Sequence, residues 1–156
     1  MPIYDIIQKY CKKGVNMKFT DFEVAVQERV KKLLSDHIAR CTQIIPKDGG
    51  LLPMMFLPDT RKLIGLQSSD GQADVDRAYA YAVKTLKGTS FSYALFSYST
   101  QINFDGKTKD ALKTCIFLAN GVEFSFFTPY KVKGLFKKSI AFENSVLSSI
   151  KESVFY

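Results

Sequence analysis

His37 and Cys41 are a pair whose types and spacing suggest metal or thiol chemistry. They stand four residues apart in a segment with helical periodicity, so their side chains share one face of the predicted helix. Two such ligands could hold a metal, and a histidine beside a cysteine could activate the thiolate. Both residues, however, lie on the apolar stripe of that helix, and His37 is the only histidine in the sequence. We therefore expect a structural role for the pair, with no metal and no cofactor.

Two other segments carry incomplete motifs. Residues 104–108 contain Gly-Lys-Thr, but a phosphate-binding loop also needs a glycine five residues before that glycine, and position 101 is Gln. Residues 68–76 contain three aspartates, but the alternation at positions 1, 3 and 5, the glycine at position 6 and the glutamate at position 12 of a calcium loop are absent. These aspartates are better explained as cap and first-turn residues of a helix, where negative charge is favoured. The sequence thus predicts no catalytic residues and no enzyme.

Positive charge is concentrated in the second half of the chain. Residues 1–76 carry a net charge of +1, whereas residues 77–156 carry +6. The densest run, residues 130–138, contains four lysines and no acidic residue. Such lysines suit contact with phosphates without base reading, and they equally suit protection of an edge strand against aggregation. The candidate residues for binding nucleic acid or another acidic partner are Lys107, Lys109, Lys113, Lys131, Lys133, Lys137 and Lys138.

The strongest local pattern predicts a β-hairpin over residues 115–132 that turns at Asn120-Gly121. A two-residue type I′ turn needs positive φ at both central positions, which Asn and Gly adopt at the least steric cost. Paired residues should then have numbers that sum to 241, which places Phe117 opposite Phe124. The second face of the hairpin is half apolar, so we expect something to cover it in part. Its apolar members are Ile116, Leu118 and Phe127.

This apolar surplus leads to our first functional hypothesis, a non-catalytic protein-interaction or assembly domain that associates with itself. The predicted interface residues are Ile7, Ile116, Leu118 and Phe127. The first alternative is a nucleic-acid-binding module that uses the basic C-terminal half. The second alternative is a small enzyme of unknown type. The expected partner is a second copy or another protein, and nucleic acid is the alternative partner.

The predicted elements position these candidates. A capping box over residues 20–23 starts a long helix that should end before Pro46. Strands follow at 51–57, 62–67 and 91–100, with a second amphipathic helix at 73–87 and a last helix around 146–154. Because the strands come in hairpin-capable runs, the order predicts an α+β fold. We expect a mainly antiparallel sheet of about five strands with helices packed on one face, plus a short N-terminal helix.

Length and composition limit the organisation of the chain. We expect a helical arm over residues 1–16 and a single α+β domain over residues 17–156, long enough to bury a core. No apolar run reaches the length of a membrane span, and the N-terminus lacks the basic leader of a secretory signal. Three cysteines without a Cys-x-x-Cys motif argue against a disulfide framework. The expectation is a basic cytoplasmic protein without a membrane partner.

Overall fold

Helices and antiparallel strands make up the computed structural model, which describes residues 17–65, 72–152 and 154–155. The helices are α1 (Val24–Asp48) and α2 (Gln72–Lys87). The strands are β1 (Met54–Leu57), β2 (Lys62–Gly65), β3 (Tyr93–Phe104), β4 (Lys107–Leu118), β5 (Glu123–Lys133), β6 (Ser139–Phe142) and β7 (Val146–Lys151). The predicted N-terminal arm, residues 1–16, lies outside the described residues.

The strands form one curled antiparallel sheet in the order β2-β1-β3-β4-β5-β6. Strand β7 lies off this path and pairs with the first half of β5, whereas β6 pairs with its second half. The predicted α+β class and antiparallel sheet are therefore confirmed. Within the described residues the sheet has seven strands rather than about five, because the segments after Gly134 also pair with β5.

The two helices pack against side chains that point to opposite faces of the sheet. In β4, Ile116 belongs to a core cluster that includes Val30 and Leu33 of α1. Its neighbour Phe117 belongs to a second cluster that includes Ala82 of α2. Consecutive residues of a strand point to opposite faces, so α1 and α2 cover different faces. This arrangement differs from the expected placement of the helices on one face.

The β4–β5 register differs by one residue from the predicted register. Phe117 pairs with Glu123, and Ile116 pairs with Phe124, so paired numbers sum to 240. Because side chains alternate along a strand, a one-residue slip changes which residues of β4 and β5 lie on the same face of the sheet. Ile116 and Phe124 therefore join the same core against α1, while Glu123 lies on the face that α2 covers.

The reason for the slip is the turn itself, which has three residues rather than two. Gly121 donates its backbone N–H to the carbonyl of Leu118 at 3.0 Å and adopts a φ of 89°. Asn120 is not among the described residues with positive φ, so a type I turn followed by a glycine bulge replaces the type I′ turn. Positive φ at both positions of a two-residue turn occurs instead at Asp105-Gly106, with values of 52° and 77°.

Both ends of α1 also differ from prediction. The helix begins at Val24, and no capping box forms over residues 20–23. The carboxylate of Asp21 instead accepts a hydrogen bond from the Lys18 backbone N–H at 2.8 Å. The helix continues through Pro46 to Asp48, and the left-handed conformation of Gly49 terminates it.

The predicted last helix is wrong, because Val146–Lys151 forms β7 along β5. A register shift between Ser125 and Phe126 lets Leu147 and Ile150, which are three residues apart, join the same core cluster. Their helix-like spacing therefore reflects an irregular strand. Pairing with β5 satisfies backbone groups that a sheet edge would leave open.

Candidate functional site

The second half of β5 and all of β6 form a short two-stranded ribbon, here called the basic ribbon (residues 130–142). On one side of this ribbon, Tyr130 and Phe142 form an edge-to-face ring pair with centroids 5.7 Å apart. They pack with Ile140 against a core cluster that contains Cys41 of α1. The other side of the ribbon carries Lys131 and Lys133, which pair with Ala141 and Ser139. All four residues are exposed.

The tip of the basic ribbon, residues 134–138, exposes two large apolar side chains. Leu135 is 90% exposed and Phe136 is 102% exposed, the highest values among the described apolar residues. Gly134 shapes this tip with a φ of 102°, and an added Cβ would collide with the carbonyl of Lys137. The ribbon therefore presents an apolar tip among four lysines, with no acidic residue from 129 to 142.

The structure does not gather all seven predicted lysines into one patch. Lys131, Lys133, Lys137 and Lys138 share the basic ribbon. Lys107 is exposed at the start of β4, and the ammonium of Lys109 lies 2.9 Å from a carboxylate oxygen of Glu143. The half-buried Lys113 places its Nζ 5.6 Å from the ring centroid of Phe127.

The predicted interface residues have different positions in the structure. Ile116 is fully buried, and Leu118 is buried in the same core against α1. The face of β4 that carries these two residues packs against α1 of the same chain. We therefore withdraw Ile116 and Leu118 as candidates for contact with a partner. Phe127 is half-buried and stays a prediction, whereas Ile7 lies outside the described residues.

His37 and Cys41 share a buried face of α1 in a neutral arrangement. The Arg40 guanidinium donates to Nδ1 of His37 at 3.3 Å, so Nε2 must carry the proton that points toward the Cys41 sulfur 3.5 Å away. Burial, followed by the charge of Arg40, lowers the pKa of His37 from 6.5 to about 3. Burial raises the pKa of the Cys41 thiol to about 12. The pair lacks both the cationic imidazole and the thiolate that nucleophilic chemistry requires.

A second site, which the sequence did not reveal, lies between α2 and the sheet. Glu123 at the start of β5 is a carboxylate with only 1% of its side chain exposed. Neither of its oxygens has a hydrogen-bond partner among the described groups. The Lys151 ammonium is 3.8 Å from one oxygen, which allows charge attraction but exceeds hydrogen-bond length.

This carboxylate lines a cavity of about 260 Å³. The cavity is bounded by aromatic, thiol and charged side chains: Val75, Asp76, Tyr79, Phe96, Tyr98, Lys113, Cys115, Glu123, Ser125 and Lys151. Burial, together with the nearby Glu123 charge, raises the pKa of the Tyr79 phenol. The same two causes raise the pKa of Cys115 to about 12. Both groups therefore stay protonated near neutral pH, and neither is a nucleophile there.

One sequence signal could have pointed to this cavity. Glu123 is a lone carboxylate between Val122 and Phe124 in the apolar strand that follows the hairpin turn. A charged residue in such a run is rarely buried without a partner, so its position suggests a special environment. The predicted register placed Glu123 opposite Leu118, and only the observed register places it opposite Phe117 beside α2.

Within the described ranges, no three His, Cys, Asp or Glu side chains are grouped so as to hold a metal ion. None of the helices in the described part of the chain is long and apolar enough to span a membrane. The chain matches no protein-family model, no curated protein and no solved structure.

Proposed function

We propose that this chain is a non-catalytic domain that binds nucleic acid through the basic ribbon. The observation that carries the proposal is the projection of four exposed lysines on a two-stranded ribbon with no acidic residue among them. Lysines on such an element contact phosphate oxygens, which supply most sequence-independent affinity for nucleic acid. The burial of Ile116 and Leu118 removes much of the surface on which self-association was predicted, so the basic residues become the better-supported site.

The shape of the basic ribbon supports this assignment. Two-stranded antiparallel ribbons bind DNA in the major or the minor groove. The exposed Leu135 and Phe136 at the tip resemble the apolar wedges with which DNA-bending proteins separate neighbouring base pairs. Complete burial of such side chains is worth about 1.5–3 kcal/mol each. The tip therefore adds affinity that does not depend on salt.

Fluorescence anisotropy tests the proposal with a labelled DNA duplex of about two helical turns and with single-stranded RNA. The protein is nuclease-treated beforehand, and binding is measured between 50 and 200 mM salt. Four phosphate contacts predict a slope of about −3.6 in log affinity against log salt, equivalent to an approximately 150-fold loss over this range for duplex DNA. Each lysine removed should reduce the steepness of this slope by about 0.9.

Matched variants separate the ribbon from general surface charge. The double change Lys131→Ala and Lys133→Ala should make the slope shallower by about 1.8. The control changes Lys62→Ala and Lys84→Ala remove two exposed lysines from β2 and α2 and should leave the slope unchanged. Absence of binding at 50 mM salt, or equal losses in both double variants, would refute the proposal.

A second pair of variants, one at the tip and one control, tests the apolar tip. Phe136→Ser should weaken DNA binding about tenfold without changing the salt slope, because it removes an apolar contact and no charge. Leu63→Ser removes another exposed apolar side chain, on β2, and should leave affinity unchanged. If the two variants bind equally well, the wedge role of Phe136 is wrong.

Assembly is the second candidate, and the exposure of Leu135 and Phe136 is the observation that favours it. A second copy or another protein with an apolar pocket would cover these side chains. Sedimentation equilibrium of the unmodified protein without nucleic acid tests self-association directly. A self-associating chain should become monomeric with Phe136→Asp or Phe127→Asp while remaining folded. A monomeric unmodified chain would remove self-association from consideration.

A further inference from the structure

We propose that the cavity beside Glu123 binds a small aromatic cation that presents two N–H donors to the carboxylate, such as an amidinium or guanidinium group on a ring. This inference is independent of nucleic-acid binding, because the cavity lies between α2 and the sheet rather than on the basic ribbon. It rests on the carboxylate, the cavity walls and the cavity volume.

The carboxylate of Glu123 provides the recognition chemistry. Its two oxygens are buried without a partner at hydrogen-bond geometry, and the Tyr79 hydroxyl and the Cys115 thiol are the nearby donors with which a ligand would share them. An unsatisfied buried carboxylate is costly, and an ionised one can accept a bidentate pair of N–H bonds. A ligand with two parallel N–H donors satisfies both oxygens at once. An anionic ligand would be repelled by the carboxylate, and an apolar ligand would leave its oxygens unpaired.

Aromatic rings form the walls of the cavity. Tyr79 projects from α2, while Phe96 and Tyr98 lie on β3. Tyr79 and Phe96 stand edge to face, with ring centroids 5.7 Å apart. Aromatic faces attract cations and provide flat apolar surfaces, so this environment suits a planar, positively charged group. The walls therefore favour an aromatic cation over a flexible aliphatic one.

The cavity volume limits the size of the ligand. A volume of about 260 Å³ corresponds to about nine water molecules at roughly 30 Å³ each. A ligand of about nine non-hydrogen atoms, the size of benzamidine, therefore matches the space. Larger molecules would have to extend past the exposed residues Asp76 and Lys151 into solvent.

The lysines of the cavity do not exclude a cation. Asp76 and Glu123 balance the formal charges of Lys113 and Lys151. The Lys113 ammonium lies near the ring of Phe127, and Lys151 is 54% exposed. Since the contact between Lys151 and Glu123 is 3.8 Å long, the lysine can turn toward water when a ligand donates at hydrogen-bond distance. Lys151 thus competes with the ligand for the same carboxylate.

The test is titration of the full chain with benzamidine, followed by calorimetry and by NMR shifts of the amides around Ser125. Benzamide and benzoate, which have the same size, serve as neutral and anionic controls. We expect benzamidine to bind at least tenfold more tightly than benzamide, and benzoate not to bind. Failure of benzamidine to bind, or equal binding of all three compounds, would overturn the proposal.

Two variants assign the recognition to Glu123. Glu123→Gln should weaken benzamidine binding at least tenfold, because it removes the charge and one acceptor. Lys151→Met should strengthen binding or leave it unchanged, because it removes the competing ammonium. Unaltered affinity in Glu123→Gln, or weaker binding in Lys151→Met, would contradict the proposed geometry. Should Glu123→Gln fail to fold, the ligand series on the unmodified chain and the Lys151→Met result decide the question.

Discussion

Acidification from pH 7.5 to pH 5 should lower the free energy of unfolding of this protein by about 2 kcal/mol through His37 alone. The imidazole is buried on α1, and its Nδ1 already accepts a hydrogen bond from the Arg40 guanidinium at 3.3 Å. A proton on this nitrogen would break that bond and place two positive charges side by side. Burial and the Arg40 charge therefore lower the pKa of His37 from 6.5 to about 3.

The magnitude follows from the difference between the folded and unfolded states. In the unfolded chain, His37 takes up a proton as the pH falls below about 6.5, whereas in the folded chain it stays neutral down to about pH 3. The unfolded state then binds more protons. The contribution of His37 to the free energy of unfolding is therefore fully present above pH 6.5 and declines as the pH falls toward 3. Between pH 7.5 and 5 the loss is about 1.5 pH units at 1.36 kcal/mol each, or about 2 kcal/mol.

Urea denaturation in reducing buffer at pH 7.5, 6 and 5 measures this loss as a change in midpoint at constant m-value. The interval is informative because His37 is the only histidine and ordinary carboxyl groups titrate mainly below it. The matched control is His37→Gln, whose amide does not titrate and can still accept from Arg40. Its stability should be nearly constant across the interval. A loss below 0.5 kcal/mol in the unmodified chain, or an equal loss in His37→Gln, would refute the reasoning.

Three further predictions concern the core, the thiols and the ribbon tip. Ile116→Ala should destabilise the fold by about 2–5 kcal/mol, since the side chain is fully buried; urea denaturation measures this, and a loss below 1 kcal/mol would contradict the register. Iodoacetamide at pH 8 should leave Cys41 and Cys115 unmodified until urea unfolds the chain, because both thiols are buried and have raised pKa values; peptide mass mapping in the native state would reveal any exception. Gly134→Ala should weaken DNA binding in the anisotropy assay with an unchanged urea midpoint, because the added Cβ displaces only the tip; unchanged affinity would mean that tip shape does not matter.

Local sequence signals predicted the elements that depend on local chemistry. The helix expected at 73–87 is α2, and Asp105-Gly106, a dipeptide typical of two-residue turns, joins β3 to β4. Pro53, which has no backbone N–H to donate, directly precedes β1, which begins at Met54. In each case the decisive residues are close in sequence, since amphipathic periodicity, positive φ and the missing proline N–H act locally.

Part of the candidate site was also predictable from the sequence. The density of lysines over residues 130–138 indicates the basic ribbon from the sequence alone. The exposure of Leu135 and Phe136 was not predictable, because apolar residues beside a strand are usually buried. Whether a side chain at a turn faces water depends on what packs around that turn, and this is a property of the whole fold.

The sequence by itself determined the α+β class, the amphipathic helices α1 and α2, the basic second half and the need for a turn near Asn120-Gly121. Only the tertiary structure decided whether two or three residues form that turn, and hence which residues of β4 and β5 share a face of the sheet. Either turn length is compatible with the local sequence, and contacts with α1, α2 and β7 select one. The three-residue turn places Ile116 in the core and Glu123 in the enclosed cavity, because a shift of one residue changes which residues of two paired strands share a face.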